Sequence, residues 1–190
     1  MRTAAWVLLL FLSTQLSGQQ QTEGLPISIG YFGNFLIQPG VKIGTQFSIK
    51  NWQKEKTGKK TFTRSSSLLI SPQLGLFTRI GDQTSFLLNG ELGYKRQKLS
   101  GGLYTMFSAG LGYLSEHQIQ SVKISLTDGR VTEKEWAQSS YFMPNLGFEF
   151  GHAFSPRLGW YNKYTYGLKI NPDEESSTLF FVELGLRYYL

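Results

Sequence analysis

Residues 178–190 read TLFFVELGLRYYL, and this stretch at the C-terminal end of the chain decides the fold class. Side chains of a β-strand point alternately to opposite faces, so every second residue shares a face. One face here is entirely apolar, and the other carries a glycine and two opposite charges. A strand of about ten residues with one apolar face and flanking aromatics is typical of a barrel that spans a membrane. The row expected to face lipid is Phe180, Val182, Leu184, Leu186, Tyr188 and Leu190.

The same alternation recurs in six earlier segments, 41–50, 66–79, 84–95, 103–115, 141–152 and 157–170. A single-chain bacterial barrel has an even number of strands, so an eighth must exist. Ile27–Leu36 and Ile119–Thr127 compete for that place. Connection lengths fit Ile119–Thr127 better, but this segment lacks the glycine and aromatics of the others and precedes a hairpin turn, Asp128–Gly129. We favour Ile27–Leu36. Both alternatives predict an all-β fold, an eight-stranded antiparallel up-and-down transmembrane β-barrel.

The N-terminal end has the composition of an export signal. Arg2 gives a positive start, residues 4–12 (AAWVLLLFL) are apolar, and residues 13–18 are mostly small or polar. The apolar run is too short for a transmembrane helix, and this order is typical of a secretory signal peptide. We therefore predict a cleaved signal peptide over residues 1–18 and an outer-membrane β-barrel domain over residues 19–190. Because the chain has no cysteine, disulfides cannot stabilise the exported protein.

The polar rows of the strands are predicted to face the barrel interior. They consist mostly of Gly, Ser, Thr, Asn and Gln, whereas the outer face of a soluble barrel carries many charges. A basic residue that faces lipid near the midplane costs about 2–4 kcal/mol. The mid-strand charges therefore predict an interior network of Glu91, Glu149, Lys163, Glu183 and Arg187. We expect Lys163 to pair with Glu183, and Glu149 or Glu91 to pair with Arg187.

The charge balance bears on partners. The formal net charge is +6, with 17% charged and 15% aromatic residues. In an exported chain, such a balance favours anionic outer-membrane lipid or lipopolysaccharide phosphates over nucleic acid as the partner. The candidate contact is a basic loop, for which a solvated surface loop is the favoured alternative. Its cations are Lys54, Lys56, Lys59, Lys60 and Arg64.

Catalytic chemistry has little support in the sequence. His117 and His152 are the only histidines, and without cysteine the chain offers no metal-ligand pattern. The string HAFS at residues 152–155 is faintly similar to the His/Ser pair of small lipid A deacylase barrels. It lies in a short turn on the expected periplasmic side, where a structural histidine is favoured. We therefore predict a non-enzymatic protein without cofactor or metal.

The signal peptide, the two-faced strands and the closing strand together resemble the OmpA/OmpX-like small outer-membrane β-barrels, over roughly residues 27–190. Segments 30–44 (GYFGNFLIQPGVKIG) and 91–94 (ELGY) are also similar to uncharacterised barrels of Bacteroidetes-type bacteria. The resemblance implies a Gram-negative outer-membrane protein whose C-terminal strand is recognised by the insertion machinery. Members usually end in an aromatic residue, whereas this chain ends in Leu190.

These features favour a barrel that acts through structure, adhesion or docking to a membrane complex. The outer loop Gln118–Gln138 is the candidate contact for a protein partner. A narrow, porin-like pore or small-ligand carrier is the alternative, although eight strands leave a lumen only wide enough for side chains. A membrane lipid hydrolase that uses His152 and Ser155 is the least favoured alternative.

Overall fold

The computed structural model describes residues 24–34, 38–56, 62–79, 83–98, 102–126, 129–155, 157–172 and 174–190. The predicted signal peptide lies outside these residues. Every regular element in the described ranges is a β-strand, and no helix there is long and apolar enough to cross a membrane. The strands are β1 (Pro26–Asn34), β2 (Gln38–Thr45), β3 (Phe47–Lys56), β4 (Phe62–Arg79), β5 (Gln83–Lys98), β6 (Leu103–Leu126), β7 (Gly129–Ala153), β8 (Leu158–Asn171) and β9 (Glu174–Tyr189).

The strands form one closed antiparallel ring. Each strand from β4 to β8 pairs with the next in sequence, and β1 closes the ring by pairing with both β9 and β2. Both β2 and β3 pair with β4, at residues 73–77 and 62–70 respectively, and they meet at Gln46. They are therefore two halves of one interrupted strand. The nine elements make eight positions around the ring, so the predicted eight-stranded up-and-down barrel is confirmed.

The structure also decides between the two candidates for the eighth strand. Residues 26–33 of β1 pair with a strand on each side, as a member of the ring must. The competing segment, Ile119–Thr127, forms the outer part of β6 up to Leu126 and pairs only with β7 in the described structure. The favoured assignment is therefore correct, and the second segment extends a hairpin.

The two faces of the wall differ in polarity. Large apolar side chains cover the outside; Leu146, for example, is 63% exposed and Leu184 is 55% exposed. Such a continuous apolar exterior is costly in water and suits contact with lipid. In β9, Leu184, Leu186 and Tyr188 are exposed on the outer face, as is Leu190 directly after the strand, while Phe180 and Val182 are partly covered.

The two ends of the barrel also differ. Pro26 and Tyr189 are registered partners, so both ends of the described chain lie at one rim, together with the turn after β7. The longest strands, β6 with 24 residues and β7 with 25, reach beyond the opposite rim. Outer-membrane barrels have short periplasmic turns and longer extracellular loops. The rim with the termini is therefore the periplasmic one.

Candidate functional site

Six buried charged side chains form ion pairs in the periplasmic half of the interior; we call them the interior ion network. Its members are Lys42, Glu91, Glu149, Lys163, Glu183 and Arg187. Lys163 on β8 is registered between Glu149 on β7 and Glu183 on β9, yet its ammonium group pairs across the interior with Glu91 on β5. The network thus joins opposite walls of the ring.

Arg187 lies near the periplasmic end of this network. Its guanidinium group lies 3.0 Å from a carboxylate oxygen of Glu149 and donates a 2.6 Å hydrogen bond to the Tyr104 hydroxyl. That hydroxyl in turn donates to Glu149 at 2.9 Å. The guanidinium carbon also lies 4.8 Å from the centre of the Tyr161 ring, within cation–π range. Arg187 is therefore held by a carboxylate, a hydroxyl and two aromatic rings, since the Tyr104 ring lies 5.6 Å away.

Glu183 on β9 receives its partners from both sides. Lys42 on β2 forms an ion pair with it, and the Tyr161 hydroxyl donates a 2.6 Å hydrogen bond. Strand β1 lies between β2 and β9, and its Gly30 is registered opposite both Lys42 and Gly185. Because Gly30 has no side chain, the lysine can pass over β1 to reach the carboxylate.

The ion pairs differ in part from those expected. All five predicted network residues are buried in the interior, and Arg187 pairs with Glu149, one of the two expected partners. Glu183 pairs with Lys42, whereas Lys163 was the expected partner. Sequence reasoning missed Lys42, although it stands on the polar row of its strand. It also missed the two tyrosine hydroxyls, since tyrosine occurs on both faces of these strands.

An apolar layer, which we call the apolar plug, fills the interior on the extracellular side of the ion network. The rings of Phe32 and Phe181 stack with centres 4.6 Å apart, and Phe77 packs edge-on against both. The plug consists of Phe32, Phe77, Leu87, Leu114, Tyr141, Met143 and Phe181. Above it, Lys169 pairs with Glu116 at 2.7 Å and covers the Tyr141 ring. Side chains thus occupy the lumen at both levels.

The candidate catalytic pair does not form a reactive arrangement in the described structure. The Ser155 hydroxyl accepts hydrogen bonds from the backbone nitrogens of Arg157 and Leu158, at 3.3 and 3.0 Å, and so closes the turn. The His152 ring packs against Phe154, with ring centres 5.7 Å apart. These contacts fit structural roles in the turn.

A second His/Ser pair lies on the outer wall near the extracellular rim. The Ser115 hydroxyl is 3.4 Å from Nε2 of His117 and also accepts a hydrogen bond from Gln138. A hydrolase of this type needs an acid that orients the histidine. The adjacent Glu116 faces the interior and pairs with Lys169, so it does not supply one.

Comparison with known proteins agrees with the fold. No family model matches the chain, and no curated protein matches its sequence. Among solved structures, Neisserial surface protein A (NspA) is similar with a TM-score of 0.51 and 7% identity, over 87% of this chain and 96% of that one. The outer membrane enzyme PagL is 14% identical with a TM-score of 0.38, over 86% and 96%. Acinetobacter baumannii CarO2 is 7% identical with a TM-score of 0.27, over 89% and 100%. At these identities the similarity to NspA shows a small barrel fold and no activity.

Proposed function

We propose that the protein is a non-enzymatic integral outer-membrane barrel that docks a partner protein, or a surface to which the cell adheres, through its extracellular hairpin. Among the described residues, side chains of the ion network and of the apolar plug occupy the lumen at two levels, which supports a closed interior over a pore. Recognition is therefore assigned to the outside of the barrel.

One observation carries this proposal: a two-stranded ribbon projects past the extracellular rim. Residues 119–126 of β6 pair with residues 129–136 of β7 in eight consecutive registered pairs. Strand β5 stops pairing with β6 at Gln118, and β8 stops pairing with β7 at Phe142. At about 3.3 Å per residue, the ribbon reaches about 26 Å beyond the last pair with β5. We call residues 119–136 the projecting ribbon.

The ribbon has two strand edges that pair with no other described strand. Unpaired backbone N–H and C=O groups on such edges can accept an added strand from another protein. A ribbon of this length is more than a connection requires, since two residues suffice to join antiparallel strands. Its length and open edges support docking over a purely structural role.

The test is to shorten the ribbon without touching the barrel. Residues 119–136 are replaced by Asn-Gly, which can join the registered partners Gln118 and Ala137 in a two-residue turn. We expect the shortened protein to insert and to show unchanged heat-modifiable gel mobility. A photo-crosslinker at Ser125 in the full-length protein should capture a defined partner in native membranes, whereas one at the exposed Ser177 of β9 should not.

Two further measurements separate the alternatives. Ion conductance in planar bilayers would support the pore, and a changed lipid A mass in cells that express the protein would support the hydrolase. If the shortened protein keeps wild-type adhesion and partner contacts, the ribbon is not the working part and the proposal fails.

A further inference from the structure

The outer wall carries a basic pocket at the periplasmic rim, on strands β4 to β7. Arg64, Arg96 and Lys98 lie on one side of this pocket of about 320 Å³, and Leu103, Thr105 and Phe150 line the other. All three cations are exposed. We call Arg64, Arg96 and Lys98 the basic wall patch. The pocket thus presents positive charge next to apolar wall, which is the pattern that an amphipathic anion requires.

The strand register orders these groups by height. Arg64 and Lys98 are registered partners nearest the rim. One step toward the membrane centre, about 7 Å along the strand, Arg96 is registered with Thr105, and Thr105 with Phe150. Beyond them the wall is apolar. The rim therefore carries two cations, and the next level carries the third cation, a hydroxyl and an aromatic ring next to the apolar wall. Charge thus lies toward the headgroups and hydrocarbon toward the membrane centre, as in a phospholipid.

Neighbouring aromatics place the patch at the membrane interface. Trp52 on β3 stacks on Tyr94 on β5, with ring centres 5.8 Å apart, and the Tyr94 hydroxyl donates to Ser66. Aromatic residues of this kind mark the headgroup level in membrane barrels. Lys54, which is exposed and registered opposite Arg64, adds a fourth cation at this level.

We infer that the basic wall patch binds an anionic glycerophospholipid of the periplasmic leaflet. The guanidinium groups of Arg64 and Arg96 and the ammonium group of Lys98 bind its phosphate, and Phe150 contacts its acyl chains. Arginine suits phosphate because its planar fork can donate two parallel hydrogen bonds. Lipopolysaccharide is the less suitable occupant, since the patch lies at the end with the termini and away from the projecting ribbon.

The experiment measures lipid selectivity of the full chain reconstituted in phosphatidylcholine vesicles. Spin-labelled phosphatidylglycerol and phosphatidylcholine are compared by electron paramagnetic resonance, which gives their relative association constant at the protein surface. Removing one cation near an anionic headgroup should weaken binding about fivefold. We therefore expect about fivefold loss of selectivity for Arg96→Gln and a larger loss for Arg64→Gln with Lys98→Gln.

Two controls make the result specific. Arg157→Gln removes an exposed cation at the same rim but outside the pocket and should leave selectivity unchanged. Arg96→Lys keeps the charge and should retain most of the selectivity. If Arg96→Gln does not insert, the Arg64→Gln, Lys98→Gln variant carries the test.

Other outcomes would overturn the inference. These are equal selectivity in Arg96→Gln and Arg157→Gln, a preference for lipopolysaccharide over phosphatidylglycerol, or displacement of the lipid by millimolar inorganic phosphate. The proposed docking function stands apart from this result, because shortening the projecting ribbon should leave lipid selectivity unchanged.

Discussion

Glu183→Gln is the sharpest test of the interior ion network. The substitution removes the carboxylate that pairs with Lys42, while the amide oxygen can still accept the hydrogen bond from Tyr161. Breaking a buried ion pair by removing one partner costs about 3–5 kcal/mol, because the remaining charge is left uncompensated. Glu183 is only 3% exposed, and one of its contacts survives. We therefore expect the free energy of unfolding to fall by about 3 kcal/mol.

The assay is equilibrium unfolding in urea after reconstitution in lipid vesicles, followed by tryptophan fluorescence. A lower midpoint with an unchanged slope reports a loss of stability without a change in the surface exposed on unfolding. The control is Lys163→Met combined with Glu183→Gln. Lys163 is registered beside Glu183 but pairs with Glu91, so this combination should leave Glu91 uncompensated as well and be worse than the single variant.

The matched rescue is Lys42→Met combined with Glu183→Gln, which removes both members of one pair. Residues in direct contact show coupling energies of about 0.5–3 kcal/mol in double-mutant cycles, whereas independent sites add. We expect Lys42→Met to recover at least half of the loss. If Lys163→Met restores stability and Lys42→Met does not, the ion pairing described for Glu183 is wrong.

Two further predictions concern the wall and the apolar plug. Leu184→Arg should lower the free energy of unfolding by about 2–4 kcal/mol, and Tyr188→Arg should lower it by about 1 kcal/mol or less. The reason is that arginine is costly at the membrane midplane and tolerated near the interface. Equal losses in urea unfolding would show that the membrane band is placed at the wrong height. Phe181→Ala, at a residue that is 1% exposed, should lower the unfolding free energy by about 3–5 kcal/mol. The Phe181→Ala variant should nevertheless form no conducting channel in planar bilayers, because the interior ion network still fills the periplasmic half of the lumen. An open channel in this variant would contradict that account.

The face of each side chain was predictable from the sequence because strand side chains alternate with a fixed period of two. This alternation alone predicted that Glu91 and Arg187 face the interior and that Leu184 faces outward. The ambiguity over Ile119–Thr127 has the same origin, since a strand in the barrel and a strand in a projecting ribbon share that period. Only the pairing partners separate them, and β6 loses its second partner after Gln118.

Which charges meet could not be read from the same pattern. Alternation gives the face of a residue but neither its height in the barrel nor its neighbours around the ring. Lys42 reaches Glu183 only because β1 closes the ring and presents Gly30 between them. The position of Tyr161 depends on another glycine, because a Cβ on Gly185 would lie 2.6 Å from the tyrosine hydroxyl. The first contact joins strands that are distant in sequence, and the second depends on the register between the consecutive strands β8 and β9.

The ion network also distinguishes strand registers that the apolar pattern leaves equal. Sliding β9 by one residue along β8 would turn its apolar row into the interior, so the lipid face alone excludes that register. Sliding it by two residues keeps every side chain on its face. It would, however, place Gly185 or Phe181 opposite Lys163, where Glu183 now lies. It would also move Arg187 away from Glu149 and Tyr104, and bring a side chain to the position where Gly185 makes room for Tyr161. Buried ion pairs add little net stability compared with apolar side chains of the same size. In this barrel the ion pairs disfavour two-residue shifts of register, which keep the apolar row on the lipid face and are therefore not opposed by the hydrophobic effect.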